Sequence, residues 1–126
     1  MLRTTIAPWL AVANATRALD YYRNAFGAIE KYRLDGDDGR VIVAQLMVDG
    51  APFWIQEDER AGAPSSEQTA VRMILTVSDP DEFFQRAIAA GAVDVAPVHE
   101  EHGWRTGRVT DPFGYDWEFS RPLSTD

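Results

Sequence analysis

The 126-residue chain is 45 % hydrophobic and 25 % charged, which suits one compact domain or two tightly packed half-units. Its formal net charge of −8 repels phosphate backbones, so nucleic acid is not an expected partner, and it favours cationic small molecules. No apolar run approaches the roughly 20 residues of a membrane helix, the first residues lack the regions of a signal peptide, and the absence of cysteine excludes a disulfide framework and thiolate metal sites, so a cytoplasmic location with no membrane partner is expected.

Thr4 to Ala13 is β-branched and aromatic and reads as a strand, with Pro8 placing it at an edge or in a non-bonding slot. Asn14 suits an N-cap. Ala18, Leu19, Tyr22, Ala25 and Phe26 fall at helical spacing, which predicts a helix over Ala15 to Phe26 closed by Gly27. Ala28 to Leu34 reads as a strand, 35–39 as a turn, and Arg40 to Val48 as a strong strand. Asp49-Gly50 signals a hairpin into a partner strand, Ala51 to Gln56. Hydrophobicity then vanishes through a linker at 58–69, separating a module at 1–57 from a module at 70–126.

The pattern restarts after the linker. Ala70 to Val77 reads as a strand, and Ser78-Asp79-Pro80 as a cap with Pro just inside a helix over Asp81 to Ala90. Val93 to Val98, Trp104 to Thr110 and Tyr115 to Ser120 read as three further strands. The last is preceded by the turn Asp111-Pro112-Phe113-Gly114. Its period of two sets Trp117 and Phe119 on one face and Asp116 and Glu118 on the other. A carboxylate pair on a concave sheet face suits a metal, a cation or an arginine, or is simply solvated. Each half therefore reads strand, helix, three strands, an α+β class. Val12-Ala13-Asn14 corresponds to Val77-Ser78-Asp79 at an offset of 65, and Gly27 to Gly91 and Gly50 to Gly114 at an offset of 64, which indicates duplicated modules.

Those matched residues, with Tyr21-Tyr22, Phe26-Gly27, Ala90-Gly91-Ala92 and Trp117-Glu118, give the chain a resemblance to the vicinal oxygen chelate superfamily. That superfamily includes glyoxalase I, bleomycin-resistance proteins and extradiol dioxygenases. The resemblance implies two tandem βαβββ modules whose mixed sheets curl into a cup around a ligand cavity, and a homodimer in many members. Carried over position by position, the superfamily's metal-ligand slots fall on Ala7, Trp54, Arg72 and Glu118. Alanine, tryptophan and arginine offer no lone pair to a metal, and a catalytic transition-metal centre needs about three protein ligands. The expectation is therefore no metal and no cofactor. Gln56, on the face of Trp54, is at most a weak ligand.

Other chemistry finds little support. His99-Glu100-Glu101-His102 reads as a solvated polar loop, because Pro97 and Gly103 argue against a helix. Asp35, Asp37 and Asp38 lack the following Glu of a calcium loop. No serine sits in a nucleophile elbow and no phosphate-binding glycine motif appears. No catalytic residue is assigned, and a binding protein is expected rather than an enzyme. The candidate ligand-binding residues are Trp9, Trp54, Gln56, Arg72, Trp104, Asp116 and Glu118: tryptophan walls for planar or cationic groups, and polar groups to orient them. By resemblance to the bleomycin-resistance branch, the expected function is non-metal sequestration of a cationic or aromatic antibiotic or metabolite. The alternatives are a metal-dependent lyase, isomerase or dioxygenase with displaced ligands, and a ligand sensor. Arg72 and Glu118 are expected to form a buried ion pair.

Overall fold

The computed structural model describes residues 2–61 and 71–124. Most of the predicted linker, residues 62–69, lies outside the described residues, as do Ala70 and the last two residues. The chain orders as β1 (Trp9–Val12), α1 (Ala15–Phe26), β2 (Ile29–Asp35), β3 (Val41–Val48), β4 (Ala51–Glu57), β5 (Met73–Thr76), α2 (Pro80–Ala89), β6 (Val93–Glu101), β7 (Trp104–Thr110) and β8 (Asp116–Pro122). It is α+β, with two similar βαβββ modules, each a four-stranded mixed sheet with one helix. The strand orders are β1-β4-β3-β2 and β5-β8-β7-β6. In both, the first strand of the module pairs parallel with its last. The chain divides into two compact units, 1–23 with 27–61 and 24–26 with 62–126.

In the first unit, local chemistry sets the bounds of α1. The Asn14 side chain accepts from the Arg17 N–H at 3.0 Å, and Glu57 Oε1 accepts from Ala15 N–H at 2.9 Å, so two of the helix's free amides are capped. Gly27 ends the helix in the left-handed conformation at φ 67°. The helix turns Tyr22 onto Phe53, ring centres 5.1 Å apart and nearly perpendicular. That fixes Phe53, Ile55, Ala44 and Leu46, all buried, as the covered side of the sheet. Asp49 (φ 50°) and Gly50 (φ 89°) form the β3–β4 hairpin turn. The predicted first strand is shortened to Trp9–Val12, whose four residues pair with Trp54 to Glu57 of β4. It lies at the sheet edge, where the Pro8 carbonyl accepts from Trp54 N–H at 2.9 Å.

In the second unit, Asp79 caps α2 by accepting from Glu82 N–H at 3.1 Å, with Pro80 in the first helical turn. Phe119 and Trp117 turn to the covered side, and both rings lie against Phe26, at 5.7 and 4.8 Å. The turn into β8 is built on one carboxylate. Asp111 is fully buried and accepts from Phe113 N–H (2.8 Å), Tyr115 N–H (3.0 Å) and Trp117 Nε1–H (2.8 Å). Arg105, also on the covered side, forks onto Asp81 at 2.7 and 2.6 Å. That pairing holds the Asp81 carboxyl below its ordinary range.

One element departs from expectation. The expected polar loop at His99–His102 is mostly strand: β6 continues through Glu101, and only His102 (φ 51°) and Gly103 (φ 85°) form the turn. Pro97, which cannot donate to the ladder, is absorbed by a register shift between Ala96 and His99. The strand survives its proline because the irregularity falls there.

Candidate functional site

Each sheet has one face turned away from its own helix, and the residues expected at a site fall on these faces. On the first unit's sheet, cross-strand register aligns Trp9 with Trp54, Trp54 with Gln45, and Gln45 with Tyr32, a row crossing all four strands. The Trp9 and Trp54 rings stack at 5.8 Å with 25° between planes, and Tyr32 lies 5.9 Å from Trp54. Trp9 is 53 % exposed and Tyr32 49 %. Gln56 accepts from Trp9 Nε1–H at 2.8 Å, which fixes the indole plane and uses the amide oxygen that a metal would need. The result is an exposed aromatic surface held in one orientation.

On the second unit's sheet, Glu118 and Arg108 stand directly opposite each other, next to the pair Thr106 and Ser120. Arg72, one residue before β5, brings Nε to 3.3 Å from Glu118 Oε1, so the expected ion pair is present. Its expected burial is not: the Arg72 side chain is 41 % exposed and that of Glu118 20 %. An arginine so placed keeps much of its hydration. The pair is accordingly worth less than the roughly 3–5 kcal/mol of a fully buried one. We expect a double-mutant cycle of Arg72→Met and Glu118→Gln, read by urea denaturation, to give a coupling below about 1 kcal/mol. A coupling of several kcal/mol would mean that the pair is sealed from water. Asp116 accepts from the Thr110 hydroxyl at 2.7 Å. His99 aligns with Thr106 and sits in the field of Glu118; its imidazole pKa is raised, first by the Pro97 carbonyl at 2.8 Å and then by Glu101. Trp104, 42 % exposed, lies at the hairpin end of this sheet, paired with Pro122, away from the Glu118 row.

Sequence reasoning missed Tyr32, Gln45 and Arg108. Arg108 was legible: counting back symmetrically across the turn at 111–115 places it opposite Glu118. Tyr32 was not, because register shifts in β2 at Glu30/Tyr32 and Leu34/Asp35 break the simple count.

Residues 4–119 match the Glyoxalase/Bleomycin resistance protein/Dioxygenase superfamily, and the chain belongs to it. It is 37 % identical to the uncharacterized protein Mb0911c of Mycobacterium bovis, over 94 % of this chain and 83 % of that one. It is 32 % identical to the uncharacterized protein At5g48480 of Arabidopsis thaliana, over 82 % and 69 %. Among solved structures it resembles TioX from Micromonospora, with TM-score 0.76, 30 % identity, and 96 % of this chain and 100 % of the other covered. The fosfomycin resistance protein FosX of Listeria monocytogenes, at TM-score 0.73, 19 % identity and 96 % and 94 % coverage, shares the fold.

The metal that some members of this superfamily carry finds a poor donor set here. Of the four corresponding positions only Glu118 has a donor atom, and it is engaged by Arg72. No group of three or more His, Asp or Glu side chains able to hold an ion occurs among the described residues.

Proposed function

We propose that this chain is a small-molecule-binding member of its superfamily that takes a planar, aromatic ligand on the Trp9–Trp54–Tyr32 row and works without a metal. The observation that carries the reading is that row: three rings in register, two of them about half exposed, with the Trp9 plane locked by Gln56. A surface whose rings are already oriented loses little entropy when a planar group stacks on it. The replacement of ligand residues by Ala7, Trp54 and Arg72 supports binding over metal chemistry. An aromatic ligand is favoured over a cationic one because Asp116 and Glu118, the expected counterions, are engaged by Thr110 and Arg72. Sequestration of an antibiotic or metabolite needs no more than such a surface. We further propose a homodimer, since Ile29 on the edge strand β2 and Val93 and Val95 on the edge strand β6 are exposed apolar residues that a second copy would cover.

Titrating planar aromatic compounds against intrinsic tryptophan fluorescence tests the reading. We expect saturable quenching and a loss of affinity of about tenfold in Trp54→Ala, equivalent to about 1.4 kcal/mol. Unchanged affinity in Trp54→Ala would refute it. Purified protein is expected to carry less than about 0.2 equivalents of transition metal; stoichiometric metal lost on Glu118→Gln would instead support a lyase, isomerase or dioxygenase. Light scattering that returns a single chain's mass at all concentrations would refute the dimer.

A further inference from the structure

The second unit's sheet carries a buried donor with an unmet hydrogen bond. Arg108 is only partly exposed, and its Nε–H is buried with no hydrogen-bond acceptor among the described residues. Its cross-strand neighbour is Glu118, whose Cβ a directly opposed position places within about 5.5 Å. Yet the ion pair that Glu118 makes is with Arg72. The other nearby carboxylate, Asp116, accepts from Thr110, and Glu101 lies 3.5 Å from His99. The face away from α2 therefore presents two arginines against the one carboxylate they flank, and one of the arginines has an unanswered buried donor.

A buried guanidinium donor without an acceptor is costly, and native proteins nearly always supply one. The side chain is permanently charged and cannot relieve the cost by losing a proton. The neighbouring groups suit an acceptor brought from outside. The Thr106 and Ser120 hydroxyls occupy the adjacent row, and each can donate. Ile74, in register with Glu118, is an exposed apolar residue beside this row.

We propose that Arg108 is the anchor of an oxyanion site: a carboxylate, phosphonate or phosphate group of a small ligand accepts from its guanidinium, with Thr106 and Ser120 within the same patch. A planar guanidinium fork matches such groups in two hydrogen bonds, which an ammonium cannot do. Arg72 adds positive charge, and Glu118 opposes the anion while holding Arg72 in place. The site stands on the second unit alone and is independent of the aromatic-row reading; a ligand lacking an aromatic group tests it without the other.

The test uses the full-length protein with methylphosphonate and acetate as oxyanions and methylammonium as the cation control. Arginine Nε–Hε resonances are followed by NMR. We expect the Arg108 Nε–H resonance to move saturably with methylphosphonate or acetate and not with methylammonium. Arg108→Gln should weaken oxyanion binding tenfold or more, and Arg108→Lys should recover only part of it, because charge returns without the fork. Glu118→Gln should tighten oxyanion binding several-fold by removing the opposing charge, whereas a cation site would weaken. The resonance shift needs no variant, so misfolding of a mutant leaves the test intact. Saturable binding of methylammonium with no response to either oxyanion would overturn the proposal. So would oxyanion binding unchanged in a folded Arg108→Gln protein, or weakened in Glu118→Gln.

Discussion

Replacing Asp111 by alanine is expected to destabilise the protein by about 3–5 kcal/mol, since it strips a buried carboxylate from several donors at once. The Oδ1 atom serves Phe113 and Tyr115, and Oδ2 serves the indole of Trp117. Each stranded donor costs about 1–3 kcal/mol, less than additively because the turn relaxes as a unit. The backbone of the same turn is closed by Asp111 N–H to the Tyr115 carbonyl at 2.8 Å and Gly114 N–H to the Asp111 carbonyl at 3.1 Å, so a misplaced turn also displaces the start of β8. Asp111→Asn keeps the shape and one acceptor but presents an amide where a second acceptor is needed, and should cost about half as much. Urea denaturation followed by near-ultraviolet circular dichroism reads both the stability and the Trp117 environment. A loss below about 1 kcal/mol in Asp111→Ala would show that the turn stands without its carboxylate.

Gly107→Ala should cost about 1–3 kcal/mol although the residue lies in mid-strand, where alanine is usually tolerated. The added Cβ would stand 2.8 Å from Val98 Cγ2, 3.0 Å from Phe84 Cδ2 and 3.3 Å from Val98 Cα. Side-chain tips yield cheaply, but the last of these is backbone of the paired strand, so β6 or α2 must move. Val98→Ala removes the tightest contact and should restore much of the loss, giving a non-additive cycle in thermal or urea unfolding. Strictly additive effects would mean that the crowding is not between these residues.

What was readable beforehand divides along physical lines. Helix α1 was legible from end to end because Asn14 and Gly27 punctuate it in the sequence itself. The alternation of Trp117 and Phe119 against Asp116 and Glu118 was legible because a strand's faces follow from parity. The ion pair of Arg72 with Glu118 followed from the resemblance, but its exposure depends on what surrounds the pair, which spacing does not encode. The extension of β6 past Pro97 was illegible because a ladder irregularity is a property of two strands together. The aromatic row is half visible in the sequence: Trp9 and Trp54 lie 45 positions apart there, and only the parallel pairing of β1 with β4 makes them neighbours and adds Tyr32 through Gln45.

That parallel pairing has a consequence for the order of events at the ribosome. Trp9 to Val12 find their partners only in Trp54 to Glu57, the last strand of the module. The nascent first strand must therefore wait while α1, β2 and β3 emerge, a delay of seconds at about 5–20 residues per second. Antiparallel β3 and β4 meet through a tight hairpin and should form first, with β1 zipping on as the closing step. In a translation-arrest series, protease resistance of the N-terminal segment should consequently appear only once Glu57 has cleared the exit tunnel.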